Sequence, residues 1–480
     1  MNYFRLLLML LVVTASSLRA ETSPAPAGRR PNILFIFSDD QRCDTIAALG
    51  NPNIRTPNLD RLVNEGTTFS RAYFMGGSLG AVCVSSRAML MTGRSLFHAR
   101  DNLAGQPLWP TQFGQAGYTT FITGKWHNEQ EGLLRAFDHG NAVFMGGMGN
   151  PYKLGLSKIT GDHKLVAGNR PEGEHSVKLF ADAAVDFISH AAVDKPWLCY
   201  FAPNCPHDPR TAPAAYHAEY NTHQPPIPPN FLPLHPFDNG EMTIRDEQLA
   251  PWPRTPEVVR QHLADYYSYI TFMDDQIGRV IAALKASGQY EHTLIVFSSD
   301  NGLAIGSHGL FGKQNLYDHS THQPLILAGP GIPRGKTVDA LCYLFDLYPT
   351  LAELTGVTAP EGNEGRSLVP VLTGKTNRHR DQIFTAYRSL QRAVRDDRWK
   401  LIAYPPINKS QLFDLKTDPY ELKDLASDPA HAADLARLTR TLQSEQASFG
   451  DSISLTNAHP APAEFDFSKI KRDKNAKPLE

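Results

Sequence analysis

The segment PNILFIFSDD, residues 31–40, holds an uninterrupted apolar run that stops at two aspartates. HTLIVFSSDNG, residues 292–302, has the same design, with an apolar run followed by Ser-Ser-Asp-Asn-Gly. Apolar runs of this length are typical of strands that are buried on both faces, as in a parallel sheet. The two segments therefore predict two strands of a parallel sheet, each ending in a polar turn.

Further strand and helix patterns lie between these two segments. PWLCYFAPNCPHDP (196–209) predicts a third buried strand followed by a loop that contains Pro and His. Residues 176–190 and 255–288 have apolar positions at helical spacing, with Ser176 and Thr255 as predicted N-caps. Because strands alternate with helices, we predict an α/β fold, a three-layer sandwich with a large mixed, mainly parallel sheet.

The character of the sequence changes after about residue 375. Segments such as TAYRSLQRAVRDDRWKLIAYPP predict a smaller C-terminal α+β subdomain, with an antiparallel sheet and a final helix. The long stretch 203–257, rich in Pro, His and aromatic residues, predicts a functional loop region. The predicted organisation is a signal peptide (1–20), a linker (21–30), a catalytic α/β domain (31–375), the C-terminal subdomain (376–450) and a tail (451–480).

The first twenty residues, MNYFRLLLMLLVVTASSLRA, predict a signal peptide. Arg5 supplies the positive charge, a short apolar core follows, and Ala20 is a small residue at the predicted cleavage point. The apolar run is shorter than the roughly 20 residues that a spanning helix needs. We therefore expect export to the periplasm or the medium, without stable membrane insertion. The formal net charge of −2 gives no electrostatic reason to expect nucleic acid as a partner.

The chain contains five cysteines, which is an odd number for an exported protein. Cys199 and Cys205 are close enough in sequence to pair across a short loop, and the sequence leaves this pairing open. With so few cysteines, the fold has to depend on a large hydrophobic core instead of a disulfide framework.

Acidic and amide side chains follow the two matched strands. Asp39 and Asp40 follow the first, and Asp300 and Asn301 follow the second. Ligands of α/β folds bind outside the carboxyl ends of the strands, so these four side chains are predicted to lie at one rim. Oxygen ligands of this kind suit Ca²⁺ or Mg²⁺, whereas zinc favours His and Cys. Taken singly, each pair has the alternative role of a turn former.

Cationic and imidazole groups occur in three further motifs. GKWHN places Lys125 and His127 two residues apart, so that both side chains point the same way in an extended segment. CPHDP holds His207 in a Pro-flanked turn, and GLFGKQNLYD supplies Lys313. A site that combines a metal, lysines and histidines suits an oxyanion ester whose charge must be neutralised during transfer.

The segment GAVCVSSRAMLMTGR, residues 80–94, places Cys83 and Arg87 four residues apart at a predicted helix start. Both side chains would then lie on one face, where Arg87 can brace the group at position 83. A thiolate nucleophile, however, is a poor match in softness for an oxygen-ligated Ca²⁺. The residues therefore indicate the place of reaction and leave the nucleophile unexplained.

Together these motifs resemble the formylglycine-dependent sulfatases of the alkaline phosphatase superfamily, and exported bacterial carbohydrate sulfatases in particular. The family signature, Cys-x-Pro-Ser-Arg followed by Thr-Gly-Arg, is similar to Cys83, Ser86, Arg87 and the Thr-Gly-Arg of residues 92–94. The resemblance covers most of the chain, and its other segments are NILFIFSDD, TPNLDRLVNEGTTFSRAY, GKWH, PHDP, SSDNG, GKQNLYD and LFDLKTDPYELKDL.

The resemblance implies that a maturase oxidises Cys83 to formylglycine, whose hydrate is the oxygen nucleophile that attacks sulfur. It also implies one Ca²⁺ per chain. The implied metal ligands are Asp39, Asp40, Asp300, Asn301 and residue 83. The implied catalytic residues are Cys83 and Arg87 at the nucleophile, Lys125, Lys313 and His207 at the sulfate and leaving group, and His127 as the base that expels sulfate.

The sequence departs from the signature at Ser85, where the family has Pro. This position lies in the short segment that the maturase reads. The leading hypothesis is an exported sulfatase acting on a sulfated polysaccharide, oligosaccharide or glycosaminoglycan. Two alternatives stay open: a phosphodiesterase or phosphonate monoester hydrolase on the same scaffold, and an unmodified, non-catalytic protein that binds sulfated glycans.

Overall fold

The structure is a computed structural model that describes residues 29–469. The predicted signal peptide, most of the predicted linker and the end of the predicted tail lie outside the described residues. The strands are β1 (Asn32–Ser38), β2 (Gly66–Phe69), β3 (Ala72–Tyr73), β4 (Gly76–Gly77), β5 (Thr119–Lys125), β6 (His139–Phe144), β7 (Ser157–Ile159), β8 (Leu165–Ala167), β9 (Trp197–Ala202), β10 (Thr293–Ser299), β11 (His322–Gln323), β12 (Leu325–Ala328), β13 (Lys336–Val338), β14 (Cys342–Tyr343), β15 (Ile383–Tyr387), β16 (Gln391–Arg395), β17 (Trp399–Tyr404) and β18 (Lys409–Asp414).

The helices are α1 (Pro57–Glu65), α2 (Val82–Thr92), α3 (Trp109–Gln115), α4 (Gln130–Ala136), α5 (Ser176–His190), α6 (Ala214–Thr222), α7 (Pro256–Ala286), α8 (Asp318–Thr321), α9 (Leu347–Thr355), α10 (Val369–Leu372) and α11 (Ala432–Phe449). Both long helices predicted from the sequence are present. Thr255 caps α7 as predicted, because its hydroxyl accepts a hydrogen bond from the Val258 N–H at 3.3 Å. For α5 the cap is His175, whose Nδ1 accepts from the Val177 N–H, so the predicted cap at Ser176 is wrong by one residue.

A ten-stranded sheet forms the centre of the molecule, in the order β13-β2-β12-β10-β1-β9-β5-β6-β7-β8. The five adjacent strands from β10 to β6 are parallel to one another, whereas β12 and β7 run antiparallel to their neighbours. The three apolar runs read from the sequence form β10, β1 and β9, which lie side by side with every residue buried. The prediction of a mixed, mainly parallel sheet is confirmed.

Two apolar cores lie on opposite faces of this sheet. Ile33, Phe35 and Phe37 of β1 belong to one core, together with residues of α2, α3 and α9. Leu34 and Ile36 point the other way, into a core built largely from α5 and α7. Successive side chains of a strand alternate between faces, so a strand that is apolar at every position needs a layer of helices on each side. The predicted three-layer arrangement is therefore confirmed.

The C-terminal part forms a second, five-stranded sheet in the order β18-β17-β16-β15-β4, packed with α11. The strands from β15 to β18 are antiparallel, as predicted. The sequence did not predict the fifth strand, β4, which comes from the N-terminal half and pairs in parallel with β15. Gly76 of β4 has φ +112°, and a Cβ there would lie 1.9 Å from the Ala386 carbonyl oxygen, so this contact requires glycine.

A buried ionic cluster joins the five-stranded sheet to helix α8. Lys400 of β17 donates to Asp318 and lies 2.6 Å from both Asp318 Oδ1 and Glu421 Oε1. Arg395 of β16 pairs with Asp318 Oδ2 at 3.0 Å. The Lys400 side chain is 3% exposed, so its charge is compensated by these carboxylates and hardly by water.

Several other features follow from the described residues. Part of the predicted tail is held against the body, since Arg392 donates to Asp451 and the Ala461 N–H donates to the Pro406 carbonyl at 2.9 Å. All five cysteines are free thiols, so Cys199 and Cys205 are not paired in this structure. Among the helices of residues 29–469, none combines the length and the apolar character that crossing a membrane requires.

We predict that Lys400→Met lowers the free energy of unfolding by about 3 to 5 kcal/mol, because it leaves Asp318 and Glu421 buried with too little positive charge. Chemical denaturation of both proteins measures the difference. Arg398→Met is the matched control: Arg398 pairs with Asp414 at the start of the same strand, but its side chain is 52% exposed. That control should cost less than about 1 kcal/mol. Equal losses in the two variants would contradict a special role for the buried cluster.

Candidate active site

The carboxyl ends of β1 and β10 bring together the acidic groups predicted from the two matched segments. The strands are parallel and in register, with Ser38 opposite Ser299, so the residues that follow them emerge at the same level. The Asp40 N–H donates to Asp300 Oδ1 at 3.0 Å, and the Asn301 N–H donates to the same oxygen at 2.9 Å. Asp39, Asp40, Asp300 and Asn301, four of the five predicted metal ligands, therefore lie close together.

Cys83 lies in the first turn of α2 and is buried against this acidic group. Lys313 Nζ lies 3.1 Å from its Sγ, and Asp40 Oδ1 lies 3.7 Å from it. Four side chains, those of Asp39, Asp40, Cys83 and Asp300, each offer one ligand atom, and these atoms all lie within 4.8 Å of one another. The helix thus delivers the signature cysteine to the end of the strands.

Each carboxylate of the site accepts a hydrogen bond from a cationic side chain. Lys125 Nζ donates to Asp39 Oδ2 at 2.7 Å. Lys313 Nζ donates to both Asp40 oxygens at 2.7 and 2.9 Å. The Arg87 Nε donates to Asp300 Oδ2 at 3.0 Å. Three negative and three positive groups are therefore buried together, with a formal sum of zero.

Arg87 does not brace the side chain at position 83 as the sequence predicts. Its Nε and Nη2 face Asp300, and its Nη1 donates to the Lys125 carbonyl at 3.0 Å. No hydrogen bond joins Arg87 to Cys83 in the part of the chain that the structure describes. The guanidinium instead ties α2 to the ends of β10 and β5, which fixes the position of the residues around the nucleophile.

The oxygen atoms of this site fit a hard divalent cation. Asp39 Oδ1 and Asn301 Oδ1 are buried and have no hydrogen-bond partner among residues 29–469. A buried oxygen left without a donor is costly, and a cation satisfies it. Carboxylate and amide oxygens are the ligands of Ca²⁺ and Mg²⁺. Because the fixed charges sum to zero, a divalent ion would leave the site positive and ready for an anionic ester.

The environment of Cys83 opposes ionisation of its thiol. Burial raises the pKa of Cys83 well above its usual value, and the negative charge of Asp300 acts in the same direction. Cysteine nucleophiles are activated by a lowered pKa, in electropositive and partly exposed surroundings. Lys125 and Lys313 oppose this effect, but the buried setting still differs from that of an activated cysteine nucleophile.

His127 lies beside the cluster in a different backbone conformation from the one predicted. β5 ends at Lys125, and His127 has φ +69°, so the predicted extended backbone does not continue through His127. Burial lowers the pKa of His127, and the nearby charges of Lys125 and Arg87 lower it further. The lowered pKa keeps the ring neutral, and its buried Nδ1 has no hydrogen-bond partner among the described residues.

His207 completes the set of residues predicted from the motifs. Its Nδ1 lies 2.8 Å from the Asp208 carbonyl oxygen, and its Nε2 lies 3.6 Å from Asp40 Oδ2. The Asp208 carboxylate is held by Arg245. The structure therefore brings His207 to the same carboxylate that Lys313 contacts, although the two residues belong to loops after different strands.

Sequence reasoning missed Tyr266, which shapes the site. The Tyr266 hydroxyl donates to the Asp40 carbonyl at 2.6 Å and accepts from the Arg42 N–H at 2.9 Å, which holds Asp40 at φ +66°. Tyr266 lies in α7, where its apolar spacing is that of a core residue, so no sequence signal distinguishes it.

Ser85, at the position of the family's Pro, bonds to the Ser78 N–H and hydroxyl at 3.2 and 3.0 Å.

Comparison with known proteins gives the family. A family model described as Sulfatase matches residues 31–357, and a second, described as N-sulphoglucosamine sulphohydrolase, C-terminal, matches residues 306–448. An N-acetylglucosamine-6-O-sulfatase of Bacteroides thetaiotaomicron is 26% identical over 532 aligned positions, which cover 92% of this chain and 91% of that protein.

Two solved structures are also similar. One is a protein in complex with its substrate D-glucosamine-2-N,6-O-disulfate, with a TM-score of 0.74 and 24% identity, covering 88% of this chain and 99% of the other. The second is a phosphonate monoester hydrolase from Silicibacter pomeroyi, with a TM-score of 0.69 and 26% identity, covering 88% and 96%. Since the Sulfatase model spans well over half of the 480 residues, this chain belongs to the sulfatase family of the alkaline phosphatase superfamily and is a sulfuric ester hydrolase.

Proposed function

We propose that this protein hydrolyses sulfate esters of a sulfated carbohydrate, with a formylglycine made from Cys83 and one bound Ca²⁺. The observation that carries the proposal is the position of Cys83, whose Sγ lies 3.1 Å from Lys313 Nζ within the cluster of Asp39, Asp40 and Asp300. A group at this position meets both the oxygen ligands of a metal and the cations that an anionic ester requires.

The relatives support a sulfated amino sugar as the first substrate class to test. The B. thetaiotaomicron relative is named an N-acetylglucosamine-6-O-sulfatase and is similar over 92% of this chain. The model that matches residues 306–448 is named for N-sulphoglucosamine sulphohydrolase. We therefore propose sulfated glucosamine units of an oligosaccharide, polysaccharide or glycosaminoglycan as substrate.

The chemistry requires an oxygen nucleophile in place of the buried thiol. When present, Ca²⁺ would supply positive charge to the sulfate ester, and an aldehyde hydrate at position 83 would supply the attacking oxygen. Asp39, Asp40 and Asp300 would hold the metal, because their oxygens already converge. Asn301 would be the fourth ligand, since its Oδ1, like Asp39 Oδ1, is buried without a hydrogen-bond partner among the described residues. Arg87 keeps Asp300 in place through its bond at 3.0 Å.

The cationic and imidazole side chains have separate roles in charge neutralisation and proton transfer. Lys125 and Lys313 neutralise the negative charge that builds on the sulfate oxygens, since both are buried at the cluster. His207, whose Nε2 faces Asp40, protonates the leaving alcohol of the sugar. His127, a neutral imidazole with a free Nδ1, takes the proton whose removal releases sulfate.

The proposal includes export and maturation. The N-terminal segment has the charge, apolar core and small-residue end of a signal peptide, which supports cleavage near Ala20 and a periplasmic or secreted protein. A formylglycine-generating maturase is then the partner that acts on residues 83–87. N-terminal sequencing of the protein isolated from its natural host tests the cleavage.

We predict that the protein releases inorganic sulfate from glucosamine-6-sulfate units and that Cys83→Ala abolishes this release, because the variant lacks the nucleophile. The measurement is sulfate release from a panel of defined sulfated sugars, with protein made in the presence of a maturase. Mass analysis of the peptide 80–94 should show the mass of an aldehyde at position 83 in active protein and of a thiol in inactive protein.

Other results would contradict the proposal in distinct ways. A plain thiol in fully active protein would overturn the formylglycine nucleophile. Faster turnover of phosphonate or phosphate esters than of any sulfate ester would favour the alternative that the S. pomeroyi neighbour represents. Tight binding of a sulfated oligosaccharide without sulfate release, even by protein made in the presence of a maturase, would support an unmodified, non-catalytic binder.

We predict that Ca²⁺ stabilises the folded protein because it satisfies buried oxygens that otherwise have no partner. At a Ca²⁺ concentration one hundred times its dissociation constant, the free energy of unfolding should rise by about 2.7 kcal/mol over chelator-treated protein. Chemical denaturation measures this without any substrate. Asp39→Asn is the matched variant, since it removes one ligand charge with little change of shape. An equal response of Asp39→Asn and wild type, or a larger response to Mg²⁺ than to Ca²⁺, would contradict the proposed calcium site.

We predict that His127→Ala lowers kcat for sulfate release by about 100- to 10,000-fold, the range expected for loss of a general base. His98→Ala is the control, because His98 lies after α2, where its side chain is 48% exposed and pairs with Glu364. Steady-state kinetics of both variants give the comparison. If the two variants lose activity equally, His127 has no specific role in the reaction.

A further inference from the structure

We propose that Arg245, Asp246 and Glu247 are positioning residues that hold the loop of His207 and the loop of Lys313 in fixed relation to each other. We call residues 245–247 the RDE segment. It begins a short helical turn, residues Arg245–Leu249, within the long loop region that no motif of the sequence explains. The proposal rests on the roles of His207 and Lys313 in the proposed function, and its structural part can be tested without activity.

Arg245 holds the loop of His207. Its guanidinium forms a two-point ion pair with the Asp208 carboxylate, in which Nη2 lies 3.1 Å from Oδ1 and Nη1 contacts Oδ2. Asp208 follows His207 directly and accepts from its Nδ1 through the backbone carbonyl at 2.8 Å. Two-point pairs between arginine and carboxylate fix orientation as well as distance. The orientation of the His207 ring therefore depends on Arg245.

Asp246 holds the loop of Lys313. Its Oδ2 accepts from Gln314 Nε2 at 2.8 Å, and its Oδ1 also contacts Arg245. Gln314 Oε1 accepts from the Lys313 backbone N–H at 3.0 Å, and Gln314 Nε2 donates to the Gly80 carbonyl at 2.8 Å. Gly80 precedes Cys83 by three residues. A single glutamine thus connects Asp246 to the lysine and to the segment that leads to the nucleophile.

Glu247 holds the start of the same loop. Its carboxylate accepts from the Phe311 N–H at 3.0 and 2.9 Å and from the Gly312 N–H at 2.8 Å. Arg254 donates to Glu247 Oε2 at 2.6 Å, so the negative charge is compensated although the side chain is buried. Three consecutive residues therefore hold three different points of the two loops: Asp208, Gln314 and the backbone of residues 311–312.

Gly312 shows how closely the RDE segment packs. A Cβ at this position would lie 2.5 Å from Gln314 Oε1, 3.0 Å from Asp246 Cβ and 3.1 Å from Glu247 Oε1. Its φ is not in the left-handed region, so the glycine serves close approach and not a special backbone angle. The loop of Lys313 therefore packs directly against residues 245–247, and a larger residue at position 312 would disturb the hydrogen bonds between them.

A positioning role explains the arrangement better than direct binding of substrate. Both Nη atoms of Arg245 are occupied by the carboxylates of Asp208 and Asp246, which neutralise its charge. Asp246 and Glu247 are buried and negative, so neither suits contact with an anionic ester. A shift of about 1 Å in a catalytic group can cost about 100-fold in rate, so the fixed geometry of His207 and Lys313 has a direct kinetic value.

The test uses the full chain with Arg245→Ala, Arg245→Lys and the control Arg279→Ala. The Arg279 side chain is 43% exposed, against 42% for Arg245, and it also pairs with a carboxylate, but it lies near the end of α7. Hydrogen exchange measured by mass spectrometry follows peptides over 205–210 and 309–315. We expect Arg245→Ala to speed exchange in both peptides by about tenfold, the effect of losing a charged hydrogen bond, and Arg279→Ala to leave both unchanged.

Kinetics on the sulfated sugar give the second readout. Arg245→Ala should lower kcat by about 10- to 100-fold with KM changed by less than about threefold, and Arg245→Lys should recover part of the loss. Gln314→Ala, combined with Arg245→Ala, should cost much less than the sum of the two single effects, because both act through one network. Gly312→Ala perturbs the same network from the opposite side and should lower kcat in the same way.

Two outcomes would overturn the proposal. Faster exchange confined to the residues around 245, with the two loops unchanged, would show that the RDE segment does not hold them. A rise in KM with kcat unchanged would make Arg245 a substrate-binding residue. If wild-type protein releases no sulfate at all, the proposed function fails, and the exchange result still decides whether the RDE segment holds the loops.

Discussion

Three carboxylates and three cationic side chains are buried together at the carboxyl edge of the central sheet, and neither set is stable there alone. Asp39, Asp40 and Asp300 would repel one another in a medium of low dielectric, and Lys125, Lys313 and Arg87 would lose their hydration without compensation. Each group therefore has a partner of opposite charge at hydrogen-bond distance. The position of Cys83, the unpaired oxygens and the arrangement of the surrounding loops all follow from this neutral, water-poor cluster.

The sheet produces this cluster through register. Parallel pairing of β1 with β10 places the residues after both strands at one level, and β9 on the other side of β1 brings the loop of His207 to the same edge. Helix α2 then delivers Cys83 and Arg87 from the face opposite α7. Residues that are hundreds of positions apart thus meet because the buried strands that carry them are adjacent and in register.

The sequence predicts the parts of the structure whose cause is local. Continuous apolar runs identify β1, β9 and β10, and the motifs that follow them contain the acidic groups, Lys313 and His207. What it does not predict depends on contacts between distant segments. Arg87 bonds to Asp300 and not to residue 83, His127 adopts a left-handed conformation, and Tyr266 and Arg245 act through partners far away in the chain. Strand β4 consists of two glycines, so it has no alternation of apolar and polar residues that would predict a strand.

Strand β4 also sets an order of events during synthesis. It leads into α2 and is completed only when β15 pairs with it, and β15 begins at residue 383, three hundred positions after Cys83. In the finished fold Cys83 is 1% exposed, so an enzyme that modifies it would have to act before the chain around it folds. At about 5 to 20 residues per second, the ribosome needs about 15 to 60 seconds to make those three hundred residues. During at least that time, the segment that leads into α2 lacks the strand that completes its sheet.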